Sequence, residues 1–255
     1  MKVPSFRPTI GFAKHFNSTI PESHDRLLHK TETRLSLKKT MGIVFGITGT
    51  QEPPFTVLSK SPSKNYQIRQ YSPYLIAEVP QIPGQDDNSF TILAKYIGVF
   101  GKPENHSKES LAMTSPVITV APQKIPMTSP VINQKDTMSF VLPFNYTSVK
   151  QLPVPNDARI VLRAIPGRII AVTAFSGWYT ASEGEKHLTK LKAWLLSDNV
   201  IPPESAEKPE SLKWSVAQYH PPFTIPFLRR NEIWVELDDT NETVRKMLEQ
   251  KGVNS

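Results

Sequence analysis

The chain has 255 residues, 38% hydrophobic and 21% charged, enough apolar material for a core and too little charge for wholesale disorder. Its 24 prolines argue against a bundle of long helices, and the absence of cysteine excludes a disulfide framework, thiolate ligation and a cysteine nucleophile. Of the formal charge of +7, residues 1–40 carry +5, with eight Lys/Arg against three acids, so the remainder is near neutral and lacks the basic balance of a nucleic-acid binder.

Residues 1–40 show no apolar period and read as a disordered basic extension. A transit peptide is the alternative, which their three acidic residues count against. The expected location is the cytoplasm, or a plastid if this segment is an address. No run approaches the roughly 18 apolar residues of a membrane span. At residues 41–46 the string MGIVFG reads like a protein beginning again, so the body is expected over 41–238 with a tail at 239–255.

Regular patterning starts at Tyr66. Residues 66–71 alternate, Ser72-Pro73 turns, and 74–79 run as a second strand. Phe90, Leu93, Ala94 and Ile97 follow at helical spacing, and Gly98 can end that helix. Short strands are expected in 113–120, 127–132 and 138–143. Strands at 160–163 and 168–175 then flank a Pro166-Gly167 turn. Ser182-Glu183-Gly184-Glu185 reads as a capping box before Leu188, Leu191, Trp194 and Leu195 on one helical face. Strands at 212–219 and 232–237 complete the pattern. Val244, Met247 and Leu248 could form a short amphipathic helix, though a frayed tail is the preferred reading.

Two repeats emerge. At an offset of 94, Arg69 aligns with Arg163, Ile76 with Ile170 and Ala77 with Ala171, so each half reads strand–strand–helix–strand–strand. The expected fold is α+β, a single distorted antiparallel β-barrel from two pseudo-repeated ββαββ halves with two helices outside. The string MTSPVI also occurs twice, at 113–118 and 127–132. Only one copy is expected to serve as a barrel strand.

Catalytic motifs are missing. There is no GxSxG, P-loop, GxGxxG or HExxH, and Ser176-Gly177 reads as a strand-end turn. His106, His187 and His220 form no close ligand pair, and Asp86-Asp87 and Asp238-Asp239 read as solvated loops. No enzyme and no protein-bound metal site are expected. The informative stretch is 219–234, YHPPFTIPFLRRNEIW, a proline-stiffened aromatic loop followed by paired arginines. Such a loop suits a flat apolar ligand bearing carboxylates, the rings stacking on its face and guanidinium groups holding its acids. From chemistry alone, the preferred reading is a loop that merely caps the barrel, with the arginines in surface ion pairs.

The sequence resembles the SOUL heme-binding protein family, particularly its plant cytosolic-type members. The matching stretches are MGIVFG, residues 66–71, AKYIGVFGKPEN at 94–105, both MTSPVI copies, FVLP at 140–143, FSG at 175–177, YHPPFTIP at 219–226 and RRNEIW at 229–234. The resemblance implies a two-fold repeated barrel and reversible, non-enzymatic binding of heme or another porphyrin, as a carrier or buffer. It places the tetrapyrrole in an apolar cleft between the first helix and the loop before the last strand. On this chain those positions are Phe90, Leu93, Ala94, Lys95 and Ile97, then Phe223, Thr224, Ile225 and Phe227, with Arg229 and Arg230 nearby. None of the histidines matches an axial-ligand position proposed for animal members, so apolar burial and Lys/Arg contacts to the propionates are expected to hold the ring. The expected state is a monomer that exchanges its ligand with a protein donor or acceptor. The alternative is a protein-interaction or other small-ligand module on the same fold.

Overall fold

The computed structural model describes residues 49–81, 86–120, 137–207, 212–221 and 223–252. Residues 1–40 and the second MTSPVI copy, with the expectations attached to them, lie outside these. In chain order come β1 (Phe55–Lys60), β2 (Gln67–Tyr71), β3 (Tyr74–Pro80), α1 (Asp86–Ile97), β4 (Val117–Val120) and β5 (Thr137–Val141). They are followed by β6 (Val161–Ile165), β7 (Arg168–Phe175), α2 (Ala181–Ser197), the single turn α3 (Glu204–Glu207), β8 (Trp214–Gln218), β9 (Asn231–Leu237) and α4 (Glu242–Gln250). The nine strands form one sheet in the order β1-β2-β7-β9-β8-β4-β5-β3-β6, every neighbouring pair antiparallel. The α+β class and the barrel-like sheet match the sequence reading.

The 94-residue offset is visible in the topology. It carries β3 onto β7, α1 onto the start of α2, and Thr137 of β5 onto Asn231 of β9. Each half's opening strand pairs with the other half: β2 lies against β7, and β6 against β3. Neither half therefore makes its own sheet.

Sheet order and link length together force the curvature. β2 and β3 stand six places apart, as do β6 and β7, which in a flat sheet is about 29 Å. Only Ser72-Pro73 and Pro166-Gly167 connect them, and such a link spans at most about 11 Å between strand ends. A flat sheet is thus impossible; it must curl into a half-barrel. The two turns meet, since a Cβ on Gly167 would lie 3.2 Å from the Tyr71 carbonyl oxygen. An Arg168 guanidinium hydrogen bond to the Tyr74 hydroxyl crosses the same gap.

Curling gives the sheet two buried faces. Outside, α2 and α4 cover Ile68, Ala171, Ile233 and Val235 with Leu188, Leu191, Leu195, Val244 and Leu248. Also outside, α1 seats Leu93, Ala94, Tyr96 and Ile97 against Leu75, Ala77 and Phe140. Inside, Tyr71, Tyr74, Ile118, Val172, Tyr219 and Trp234 cluster. Burial on both sides explains why residues 74–79 and 169–174 read as near-continuous apolar runs rather than alternations.

Three details differ from expectation. The α2 cap is Thr180, whose hydroxyl accepts from the Glu183 amide at 3.2 Å, because the helix begins at Ala181 rather than after Ser182. Residues 242–250 are a docked helix and not a frayed end: Asn241 caps it, and Val244 and Leu248 enter the core. β1, unmarked in the sequence reading, pairs with β2 as an edge strand with Phe55 and Val57 partly in water. The first MTSPVI copy supplies Val117 and Ile118 to β4, an interior strand between β8 and β5.

Gly167→Val puts a branched side chain into the contact between the two turns. It should destabilise the protein by about 1–3 kcal/mol, the usual cost of overpacking, seen as a lower urea midpoint with an unchanged slope.

Candidate functional site

The loop joining β8 to β9 is built by its prolines and closed by backbone bonds. The Thr224 amide donates to the Pro221 carbonyl at 3.0 Å, and Pro226–Leu228 make one 3-10 turn that Leu228 and Arg229 close onto Ile225 and Pro226. Because β9 also pairs with β7, the loop lies beside the turn leaving β7. There the Gly177 amide donates to the Pro226 carbonyl at 2.8 Å, and the Asn231 side-chain amide donates to the Gly177 carbonyl at 3.1 Å. The loop is pinned at both ends.

Two of its rings are left in water: Phe223 is 60% exposed and Phe227 71%. In the same loop Thr224 and Arg229 are buried, with Arg229 Nε donating to the Thr224 carbonyl at 2.8 Å. The Arg229 guanidinium lies 3.6 Å from the ring centre of Trp178, and burial pulls its pKa down from the usual arginine value. Ile225 is half-buried. Arg230 turns inward across the Tyr219 ring at 3.4 Å and pairs with Glu52. Its backbone amide donates to Nδ1 of His220 at 3.0 Å, so that nitrogen is already engaged.

Under the loop, inside the half-barrel, sits a charge network that sequence reasoning missed. Glu232 is 1% exposed. It accepts from Arg69 Nη1 at 3.2 Å, from the Tyr219 hydroxyl at 2.7 Å and from Trp234 Nε1 at 2.8 Å. Arg69 also donates to the Tyr71 hydroxyl at 3.1 Å. A buried carboxylate with this many donors is electrostatically satisfied. Burial is the chief reason the Tyr71 phenol is pushed up to about 12 and Tyr219 is raised well above its ordinary value, with Glu232 pushing both in the same direction. Only parity along β9 could have signalled the network: Glu232 and Trp234 share the face opposite Ile233 and Val235.

The first-helix positions divide in two. Leu93, Ala94 and Ile97 are at most 2% exposed and belong to the core against β3 and β5. A ligand could reach them only by displacing that packing. Phe90 is half-buried, edge-on to Phe140 at 5.3 Å between ring centres. Lys95 faces solvent and pairs with Glu104 at 3.6 Å. Of the other histidines, His106 is exposed, and His187 stacks on Phe175 at 4.1 Å with its pKa lowered mainly by burial.

A cavity of about 470 Å³ opens elsewhere, by the β6–β7 turn, lined by Gln70, Arg168, Lys213, Glu236, Asp238 and Asp239 among others. Its walls carry both signs of charge, poorly matched to an apolar macrocycle, and no predicted site residue lines it. Among the described residues no cluster of three potential metal ligands occurs, and no helix is long and apolar enough to cross a membrane.

A two-fold repeated, curled antiparallel sheet with an aromatic, arginine-containing loop before its last strand is the class of domain this chain forms. Residues 50–236 match the family described as SOUL heme-binding protein, and the chain belongs to that family. No curated protein sequence matches it significantly. Among solved structures, it is similar to the C-terminal domain of EcmrR at 12% identity and a TM-score of 0.41, covering 68% of this chain and 96% of that one. An uncharacterized conserved protein from Listeria innocua shares 10% identity at a TM-score of 0.46, over 70% of this chain and 94% of that one. A hydrolase from Listeria innocua, at 10% identity and a TM-score of 0.41, covers 70% and 94%. Likeness at this level carries no functional argument.

Two measurements probe the network. Glu232→Leu leaves Arg69 buried without its counter-charge and should cost about 3–5 kcal/mol in urea unfolding, much of it regained in Arg69→Met/Glu232→Leu. The second concerns alkali. Unfolded tyrosines ionise near pH 10 while folded Tyr71 holds its proton to about 12, so stability present below pH 10 is lost as the pH climbs from 10 to 12. The melting temperature should fall across that window, less steeply in Tyr71→Phe.

Proposed function

We propose that the chain binds heme and related tetrapyrroles without catalysing a reaction, as a carrier or buffer, on the face built around residues 223–230. The supporting observation is the pair Phe223 and Phe227, left 60% and 71% exposed on a loop that is held by backbone bonds and contains a buried arginine. Large aromatic rings fixed in water on a rigid loop mark a surface that is covered when it works. On the first helix, the solvent-reaching Lys95 and the half-buried Phe90 are the proposed contributors, while Leu93, Ala94 and Ile97 are taken up by the core against β3 and β5. Thr224 and Ile225 shape the loop.

The residues present fit a planar dianion. The rings supply apolar area for the macrocycle, Lys95 supplies an exposed positive charge for a propionate, and Arg229 and Arg230, engaged with Trp178 and with Glu52, add a positive field without direct contact. A bound heme would bring iron with it, but the binding argued here rests on the ring and its acids. His220, whose Nδ1 is held by the Arg230 amide, is not required. Iron-free protoporphyrin IX should therefore bind as hemin does.

Titration with both porphyrins, followed by their Soret bands, tests this reading. Saturable micromolar binding of each is expected. Phe223→Ala and Phe227→Ala should each cost about 2 kcal/mol, as truncated aromatic anchors do. Lys95→Ala should cost only about 0.2–1 kcal/mol, since that lysine is exposed and already paired, and less still in high salt. Binding of hemin alone, abolished by His220→Ala and unchanged by the phenylalanine substitutions, overturns it.

A further inference from the structure

One more exposed ring belongs to this face. Trp178, in the turn between β7 and α2, is 60% exposed. Its place is fixed by the register of β7 against β9, which sets Phe175 opposite Asn231. The bonds from Gly177 to Pro226 and Asn231 then tie the Trp178 turn to the aromatic loop. The indole itself is oriented by Arg229, whose guanidinium covers the ring at 3.6 Å while the arginine is only 8% exposed. One ring face is thus occupied by a cation held in place, and the exposure lies on the remainder.

We infer that Trp178 is the stacking platform of the site and that a planar, carboxylate-bearing macrocycle lies across the junction of the β7–α2 turn and the β8–β9 loop; this rests on the tetrapyrrole-binding reading above. An indole offers a flat face larger than any other side chain, and the guanidinium behind it favours a ligand of negative charge. Arg229 is a positioning residue here: it acts through the indole it orients. The site so drawn extends toward α2, away from the buried first-helix positions Leu93, Ala94 and Ile97.

The test uses the full chain and its Trp178→Ala and Trp178→Phe variants, titrated with protoporphyrin IX and hemin. Far-UV circular dichroism should match the parent, with the melting temperature lowered only slightly by loss of the contact with Arg229 and largely restored in Trp178→Phe. Loss of a stacking face typically weakens binding by about tenfold or more, so that drop is expected for alanine, with phenylalanine restoring most of the affinity. The Trp178 emission, taken as the difference between parent and Trp178→Phe, should be quenched at saturation, a readout that does not depend on affinity. Unchanged affinity in Trp178→Ala while Phe223→Ala binds weakly overturns this inference and leaves the loop reading standing. Failure of the parent chain to bind either porphyrin overturns both. A parent that dimerises, with Trp178→Ala monomeric and porphyrin affinity unaffected, assigns the ring to self-association and also overturns it.

Discussion

Two dipeptides, Ser72-Pro73 and Pro166-Gly167, impose the geometry on which everything else rests. Each joins strands that hydrogen bonding sets six places apart. A chain that short cannot bridge a flat sheet, so the sheet curls, and curling creates an inner face. That inner face cannot be filled by helices, which lie outside, and it is filled by large tyrosines and Trp234 from the sheet itself. Glu232 and Arg69 enter the same space, where each is tolerable only because the other is there. The exchange of opening strands between the halves follows from the same links. β2 is delivered to β7 and β6 to β3, so the halves interlock through backbone hydrogen bonds and not merely through side-chain contact.

Much of the framework was legible because it is local or periodic. Residues 66–71, 74–79 and 168–175 announce strands through β-branched and aromatic runs, and the helical stripes of α1 and α2 bury the residues their spacing selects. The offset of 94 foretold the pseudo-symmetry but could not foretell the strand exchange, because pairing across halves leaves no mark on either half's own pattern. β1 escaped because an edge strand with Phe55 and Val57 partly in water need not alternate cleanly. Residues 242–250 looked like a frayed end since three apolar residues alone seldom hold a helix. Only burial of Val244 and Leu248 in the outer core beside β1 explains their order. The misplaced cap of α2 is a two-residue boundary shift between chemically equivalent starts, Thr180 with Glu183 against Ser182 with Glu185.

At the site, the same division holds. The β8–β9 loop was legible from its own composition, as prolines, aromatic rings and paired arginines within 16 residues. What composition could not separate was the use of each arginine. Arg229 serves the outer surface through Trp178, whereas Arg230 is drawn inward to Tyr219, Glu52 and Glu232. Adjacent residues near a strand's start face opposite sides, so their roles diverge by parity. Trp178 lies 45 positions before Phe223 and joins the loop only through the β7–β9 register.

A rigid base is what makes an exposed aromatic loop useful. A flexible loop displaying the same rings would lose backbone conformational entropy when ordered on binding, about 1–2 kcal/mol per residue. Here the backbone is already ordered, with both loop ends held by the Gly177, Asn231 and Arg230 bonds. The buried network stiffens the support one layer below: Tyr219, the first residue after β8, and Glu232, the second residue of β9, are joined by a 2.7 Å hydrogen bond across the loop's two stems. The stems therefore cannot splay without breaking a hydrogen bond to a carboxylate in the core. The constraint that begins with two short turns at one end of the sheet thus ends as a fixed aromatic surface at the other.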